Sequence, residues 1–338
     1  MPESPTNPPA GSPPGAEGPA ALGGLVALAS AIAASGDVPA RPGRHAVLAL
    51  DTDLTDAARA RAIPLRVHLP ESGGPYPVIL FSHGLGSTRA AYGYLARSWA
   101  SHGYAVLVPQ HLGSDASILG GKGLLPFRRL RLAMSDPANW AARPLDLTFL
   151  IDSLPALEAA LPRLAGKLDH GRIGVGGHSF GGYTASLLAG ARVRFPGEQH
   201  ERSFADPRPR AFVCISPPGL GDRGLFEGAW STITRPLLEI TGTLDVGSFD
   251  NEPWEWRLGP FRGLPPGHKI CVVLEGTDHL HFAGGTVKSP ASDAQKGAVE
   301  DATLAFWDAW LKDDAGAEAL LDEAALSREG VRVSVERR

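Results

Sequence analysis

The stretch Arg172-Ile173-Gly174-Val175-Gly176-Gly177-His178-Ser179-Phe180-Gly181-Gly182-Tyr183-Thr184-Ala185-Ser186-Leu187-Leu188 decides how the rest of this chain is read. It runs from a short apolar strand, through Gly177-His178-Ser179-Phe180-Gly181, into small and apolar residues that suit a helix. Gly-x-Ser-x-Gly between a strand and a helix is the pattern of a nucleophile elbow. So tight a turn has no room for side chains two positions to either side of the serine, and it holds the serine in a costly backbone conformation. The Ser179 hydroxyl then stands at the carboxyl edge of a sheet, with the positive N-terminal end of the next helix beside it.

Working outward, the pattern is that of an α/β protein. Strands are expected near 45–50, 63–68, 78–81, 105–109, 172–176, 211–216, 237–241 and 270–275. Helical stripes fall between them: Tyr92, Leu95, Ala96 and Trp99; then Leu147, Leu150, Ile151, Leu154 and Leu157; and last Val299, Thr303, Phe306 and Trp310. Alternating strands and helices predict a mostly parallel eight-stranded sheet covered on both faces, with an antiparallel pair at its start where the connection is short. Residues 43–315 are expected to hold this domain and 316–338 to form a C-terminal extension. Residues 1–19 carry seven prolines and nothing to bury, so disorder is expected there. The apolar run 20–34 reads either as a helix packing on the domain or as a signal segment that lacks a basic start. The first reading, and with it a cytoplasmic location, is slightly favoured.

Composition excludes several classes. With 338 residues, 43% apolar and 20% charged, the chain can bury a large core, and a net charge of −4 makes no electrostatic case for nucleic acid. Cys214 and Cys271 sit inside apolar runs and read as buried free thiols. No Cys/His cluster has metal-ligand spacing, so neither a metal nor another cofactor is expected.

A serine nucleophile needs a base to take its proton and a buried acid to orient the base, in the chain order Ser, acid, His. Downstream of Ser179, His279 and His281 follow the eighth expected strand, whereas His200 lies in a charged loop and His268 falls at the wrong edge of the sheet. The residues alone leave His279 and His281 both open. For the acid, Asp245 directly follows the seventh strand; Asp222, Asp250 and Asp278 are its competitors. Two backbone N–H groups must also meet the developing oxyanion. One is that of Phe180; the other is expected from Leu85 in Phe81-Ser82-His83-Gly84-Leu85-Gly86-Ser87, with His83 as scaffold.

Three segments carry a family resemblance: Leu80-Phe81-Ser82-His83-Gly84-Leu85-Gly86-Ser87, Ala100-Ser101-His102-Gly103-Tyr104-Ala105-Val106 and Gly177-His178-Ser179-Phe180-Gly181-Gly182. Over about residues 43–315 the chain resembles the platelet-activating-factor acetylhydrolases. It also resembles their bacterial relatives, often labelled predicted dienelactone hydrolases, and more distantly the cutinase-like polyester hydrolases. The resemblance implies the α/β-hydrolase fold and a serine esterase. It matches the oxyanion donors to Leu85 and Phe180 and favours His279, through a Gly-x-x-His-x-x-Phe pattern falling on Gly276, His279 and Phe282. The animal acetylhydrolases carry their acid after the sixth strand, where this chain has Ser216-Pro217-Pro218; the bacterial branch places it after the seventh, in agreement with Asp245. Dienelactone hydrolases proper use a cysteine, and position 179 is serine.

The expected activity is hydrolysis of carboxylic esters through an acyl-enzyme, on a small-molecule, lipid or polymeric ester. Acyl transfer or amide cleavage on the same triad is the alternative, and an idle binding scaffold is disfavoured by the intact set of residues. Four long segments, 111–142, 193–209, 217–234 and 246–267, are expected to wall the pocket. Their Trp140, Phe249, Trp254, Trp256 and Phe261, with His178 beside the nucleophile, are its candidate lining. Lys122, Arg128, Arg129 and Arg131 interleave with leucines; a solvated basic helix face is favoured there over a lid that touches membrane or lipid. Oligomeric state is not legible.

Overall fold

The computed structural model describes residues 42–120, 125–247, 249, 251–284 and 290–338, so the readings made for 1–41, Lys122 and Asp250 lie outside the described residues. Among the described residues, nine strands form one sheet. Its spatial order is β1 (Val47–Asp56), β2 (Arg61–Pro70), β4 (Ala105–Pro109), β3 (Tyr76–Ser82), β5 (Leu168–His178), β8 (Ala211–Ile215), β9 (Leu237–Gly242), β10 (Lys269–Leu274) and β11 (Val333–Arg337). The remaining pair, β6 (Arg192–Arg194) and β7 (Glu201–Ser203), makes a separate hairpin. Pairing is parallel from β4 through β10, and antiparallel at β1/β2, β2/β4 and β10/β11.

The central strands are apolar on both faces because each face is covered. Alternate residues serve different cores. Val78 and Leu80 of β3 pack with Ile173 and Val175 of β5 on one side, against α3 (Pro137–Asp152) and α5 (Phe180–Ala189). Ile79 and Phe81 face the other side, where α1 (Gly93–Ser101) supplies Trp99 and α7 (Pro290–Leu311) supplies Phe306 and Trp307. Each such side chain contributes about 1.5–3 kcal/mol relative to exposure.

The eight expected strands are present, and the short first connection does make an antiparallel pair. The ninth strand corrects the reading of 316–338 as an extension: Val333–Arg337 pairs along β10 from Ile270↔Arg337 to Leu274↔Val333. The stripe from Leu147 to Leu157 is two helices, α3 and α4 (Leu154–Ala160), because Pro155 has no N–H to continue the first and its ring would meet the carbonyl of Ile151. In α7 the fully buried tryptophan is Trp307; Trp310 is half-buried against the His268 ring, 4.5 Å away. Among the described residues no helix is long and apolar enough to cross a membrane.

One buried acid stands apart from the rest. Glu239 of β9 is fully buried and lies in register with Cys214 of β8 and Cys271 of β10, so the three side chains share a face. The thiols are separated by a whole strand, about 10 Å, too far for a disulfide. Burial pushes the Glu239 carboxyl well above its ordinary value, opposed by the Phe261 amide and the charges of Arg262 and Arg257. A carboxyl whose folded value is raised favours the fold below its unfolded value, and that contribution is lost as pH rises toward the folded one. Glu239→Gln should therefore match the wild type in urea unfolding near pH 4.5. Above that its advantage should grow by about 1.4 kcal/mol per pH unit while the wild-type carboxyl keeps its proton. Equal stability at pH 8 would refute a neutral Glu239.

Candidate active site

Parallel strands deliver their carboxyl ends to one edge of the sheet, and the site is built there. Between β5 and α5 stands a single residue, Ser179, with φ 56° and ψ −116°. The closeness of the turn is visible at its glycines. A Cβ on Gly177 would lie 2.3 Å from the Gly181 carbonyl carbon, and one on Gly181 would lie 1.8 Å from Ser82 O. Main-chain bonds hold the strained residue: Ser179 N donates to Ile215 O at 2.9 Å, and Tyr183 N donates to Ser179 O at 3.0 Å.

Ser179 Oγ lies 2.9 Å from His279 Nε2, and His279 Nδ1 lies 2.8 Å from Asp245 Oδ1. Ser216, the residue after β8, places its Oγ 2.7 Å from the same Nδ1. Asp245 is fully buried and accepts a further bond from Thr241 Oγ1 at 3.0 Å. Its third neighbour is a guanidinium, with Arg257 Nε 2.7 Å from Oδ1. Burial alone would raise the Asp245 carboxyl. The charges of Arg257 and His279, with hydrogen bonds from His279 and Ser216, more than offset this and hold it at about 2. The His279 ring is pushed below its ordinary value, first by burial and then by Arg257, with Asp245 pulling the other way.

The competitors are placed elsewhere. His281 Nδ1 bonds Asp278 Oδ1 at 2.8 Å, which occupies both residues. Asp222 pairs with Arg223 at 2.6 Å. His178 is buried behind the site: its Nδ1 is 2.8 Å from the Tyr92 hydroxyl and its ring lies 4.6 Å from that of His279.

The loop after β3 is tied down from beneath. Arg143 of α3, fully buried, donates to the His83 carbonyl and to Ser82 Oγ (3.1 Å), Ser114 Oγ (2.8 Å) and Thr184 Oγ1 (3.1 Å). Its guanidinium also lies 4.5 Å from the centre of the Phe180 ring. His83 Nε2 accepts the His111 amide at 3.0 Å, which puts its proton on Nδ1, 2.7 Å from Gly84 O. His83 is thus scaffold. The Tyr92 hydroxyl accepts from Gly84 N at 3.1 Å and completes the support. Leu85, next in the loop, lines the same cleft as Ser179.

That cleft has a volume of about 450 Å³ counted to the open solvent. Leu85, Met134, Pro218, Phe249 and Trp256 form its apolar walls, with Asp222, Arg223, Glu252 and Arg257 among them. Of the aromatic residues expected in the pocket, Phe249 and Trp256 are there. Trp140 instead donates to Met134 O at 2.7 Å and packs at a tilt against Phe195 within the core, where Phe261 is also buried, and Trp254 packs against that core. An aromatic on a long segment is apolar enough for either place, and sequence spacing does not separate them.

A family model described as chlorophyllase matches residues 40–195, which span β1 to β6 and the Ser179 turn. The platelet-activating factor acetylhydrolase of Bos taurus is 30% identical over 151 residues, 37% of this chain and 34% of that protein. That of Cavia porcellus is 26% identical over 249 residues, 66% of this chain and 52% of that protein. The chain is an α/β hydrolase by fold. It spans about a third to a half of the length of the curated relatives it matches. The chlorophyllase match stops before Asp245 and His279, so for this α/β-hydrolase fold the place of those two residues rests on geometry.

Sequence reading missed four residues of the site: Arg257, Arg143, Tyr92 and the contact made by Ser216. Arg257 and Arg143 sit in helical turns 11 or more positions from what they touch, and Tyr92, the left-handed residue before α1, reaches back to Gly84 and across to His178. Only Ser216 left a trace, as the residue standing where the animal acetylhydrolases carry their acid.

Proposed function

We propose that this α/β hydrolase is a serine carboxylic-ester hydrolase. The observation that carries the reading is the unbroken line from Ser179 Oγ through His279 Nε2 and Nδ1 to a buried, ionised Asp245, opening on an apolar cleft. Ser179 Oγ attacks the ester carbonyl while His279 Nε2 takes its proton, and Asp245 stabilises the imidazolium that forms. The carbonyl oxygen, now anionic, is met by the backbone N–H groups of Phe180 and Leu85. His279 returns the proton to the departing alkoxide, then activates a water that clears the acyl group from Ser179.

The cleft walls suit a short- to medium-chain or aromatic acyl group, and the names of the relatives point to a short one. A lipid or polymeric ester is compatible with the same walls. The test is a panel of p-nitrophenyl esters of increasing chain length combined with fluorophosphonate labelling. Turnover should peak at short to medium chains, and one phosphonyl group per chain should appear on the peptide containing Ser179. A label on another residue, or no ester cleaved above background, would overturn the proposal.

A further inference from the structure

Beyond β9 the chain makes a tight helical turn, Trp254–Leu258. Adjacent residues of that turn face different tasks. Both touch the cleft, but Trp256 is half-buried wall, while Arg257, 3% exposed, runs inward to the acid. Every nitrogen of the Arg257 guanidinium ends on oxygen. Nε donates to the Asp245 carbonyl at 2.8 Å and pairs in charge with its Oδ1 at 2.7 Å; Nη1 donates to Ser216 O (3.0 Å) and Pro217 O (3.2 Å); Nη2 donates to Val246 O (3.1 Å). These oxygens belong to two loops, one after β8 and one after β9. The same two loops supply both contacts to His279 Nδ1, from Ser216 Oγ and Asp245 Oδ1.

A neutral donor could make such hydrogen bonds, but a guanidinium also adds a charge, and in a buried site that charge is weakly screened. It keeps Asp245 ionised. It also cancels part of the field that Asp245 exerts on the imidazole, so the imidazolium is less stabilised. The other groups around the ring leave this balance in place. His178 packs on it from the end of β5 and is held neutral by burial, and the Ser179 and Ser216 hydroxyls are uncharged. Asp278 is engaged by His281 and by the amides of Leu280 and His281.

We propose that Arg257 is a positioning residue for the ester hydrolysis inferred above. It staples the two loops that hold His279 and, through its charge on Asp245, extends activity toward acidic pH. The inference rests on the Ser179–His279–Asp245 reading.

The test is the pH dependence of kcat/KM for p-nitrophenyl acetate in the wild type, Arg257→Lys and Arg257→Gln. With the positive charge gone, His279 should gain its proton more readily. The acidic limb of the Gln variant should then move up by on the order of one pH unit, and Lys should restore most of the shift. A limb that stays in place while the rate falls would reduce Arg257 to a structural strut and overturn the proposal. Since Arg257→Gln leaves Asp245 buried without its partner, a second comparison uses Asp245→Asn with and without Arg257→Met, a pair that removes both charges together. The two charges oppose each other at His279, so adding Arg257→Met to Asp245→Asn should return the acidic limb toward its wild-type position, while kcat falls further as the carbonyl contacts are lost. A limb that Arg257→Met leaves where Asp245→Asn put it would also overturn the proposal. Failure of the underlying reading looks different: Ser179→Ala would keep wild-type turnover whatever the Arg257 variants do.

Discussion

Ser179→Ala is expected to lower ester turnover by about 10⁴- to 10⁶-fold with no change in fold. The hydroxyl is the one atom removed. Both main-chain bonds that hold the residue, to Ile215 and from Tyr183, survive the change. Alanine at φ 56° carries the same backbone strain as serine, so unfolding should be unaltered within experimental error. The oxyanion donors and the cleft also remain, and they account for whatever rate is left above that in water. Initial rates on p-nitrophenyl acetate, read beside a thermal unfolding curve, make the check. A variant that retained more than about one hundredth of the wild-type rate would place the nucleophile elsewhere.

His279→Ala should cost about 10³-fold or more in kcat, and His281→Ala no more than a few-fold. The two rings are neighbours in one loop, yet they are committed differently. His279 alone bridges Ser179 and Asp245, at 2.9 and 2.8 Å. His281 closes a local turn on Asp278 and is partly exposed. Truncating it frees a solvent-facing carboxylate, a change worth tenths of a kcal/mol in stability. Measuring the pair side by side controls for disturbance of the loop, and the reverse ranking would transfer the role of base to His281.

The elbow was legible because its chemistry is written in local geometry. Gly177 is required by a contact with Gly181, four residues on, and a strand and helix flank the turn; the clash that requires Gly181 is with the distant Ser82 carbonyl. The alternation of strands and helices was legible for the same reason, since burial on both faces demands long apolar runs. What escaped depends on distant partners. Arg257 is one arginine among 26, and what distinguishes it is five oxygen contacts on residues from 11 to 41 positions away. Val333–Arg337 is short and polar on alternate positions, as an edge strand facing water should be, and such a segment has no apolar run to announce it. The choice between His279 and His281 came from resemblance; their spacing alone could not decide which ring turns inward.

The anchoring of the loop after β3 has a meaning for how this protein can change over generations. Arg143 is shared by Ser82, His83, Ser114 and Thr184, and it lies against Phe180, so five positions from three parts of the chain stand on one side chain. Lysine cannot imitate a planar fork of five donors. Substitutions at these places should be tolerated jointly or not at all, and a mutational scan should find them inherited as a block. Phe249 and Trp256, on half-buried loop surface outside that block, carry no such obligation. Lineages are free to remodel what enters the cleft while the apparatus beneath it stays in place, so neighbours in sequence space should differ in diet sooner than in chemistry.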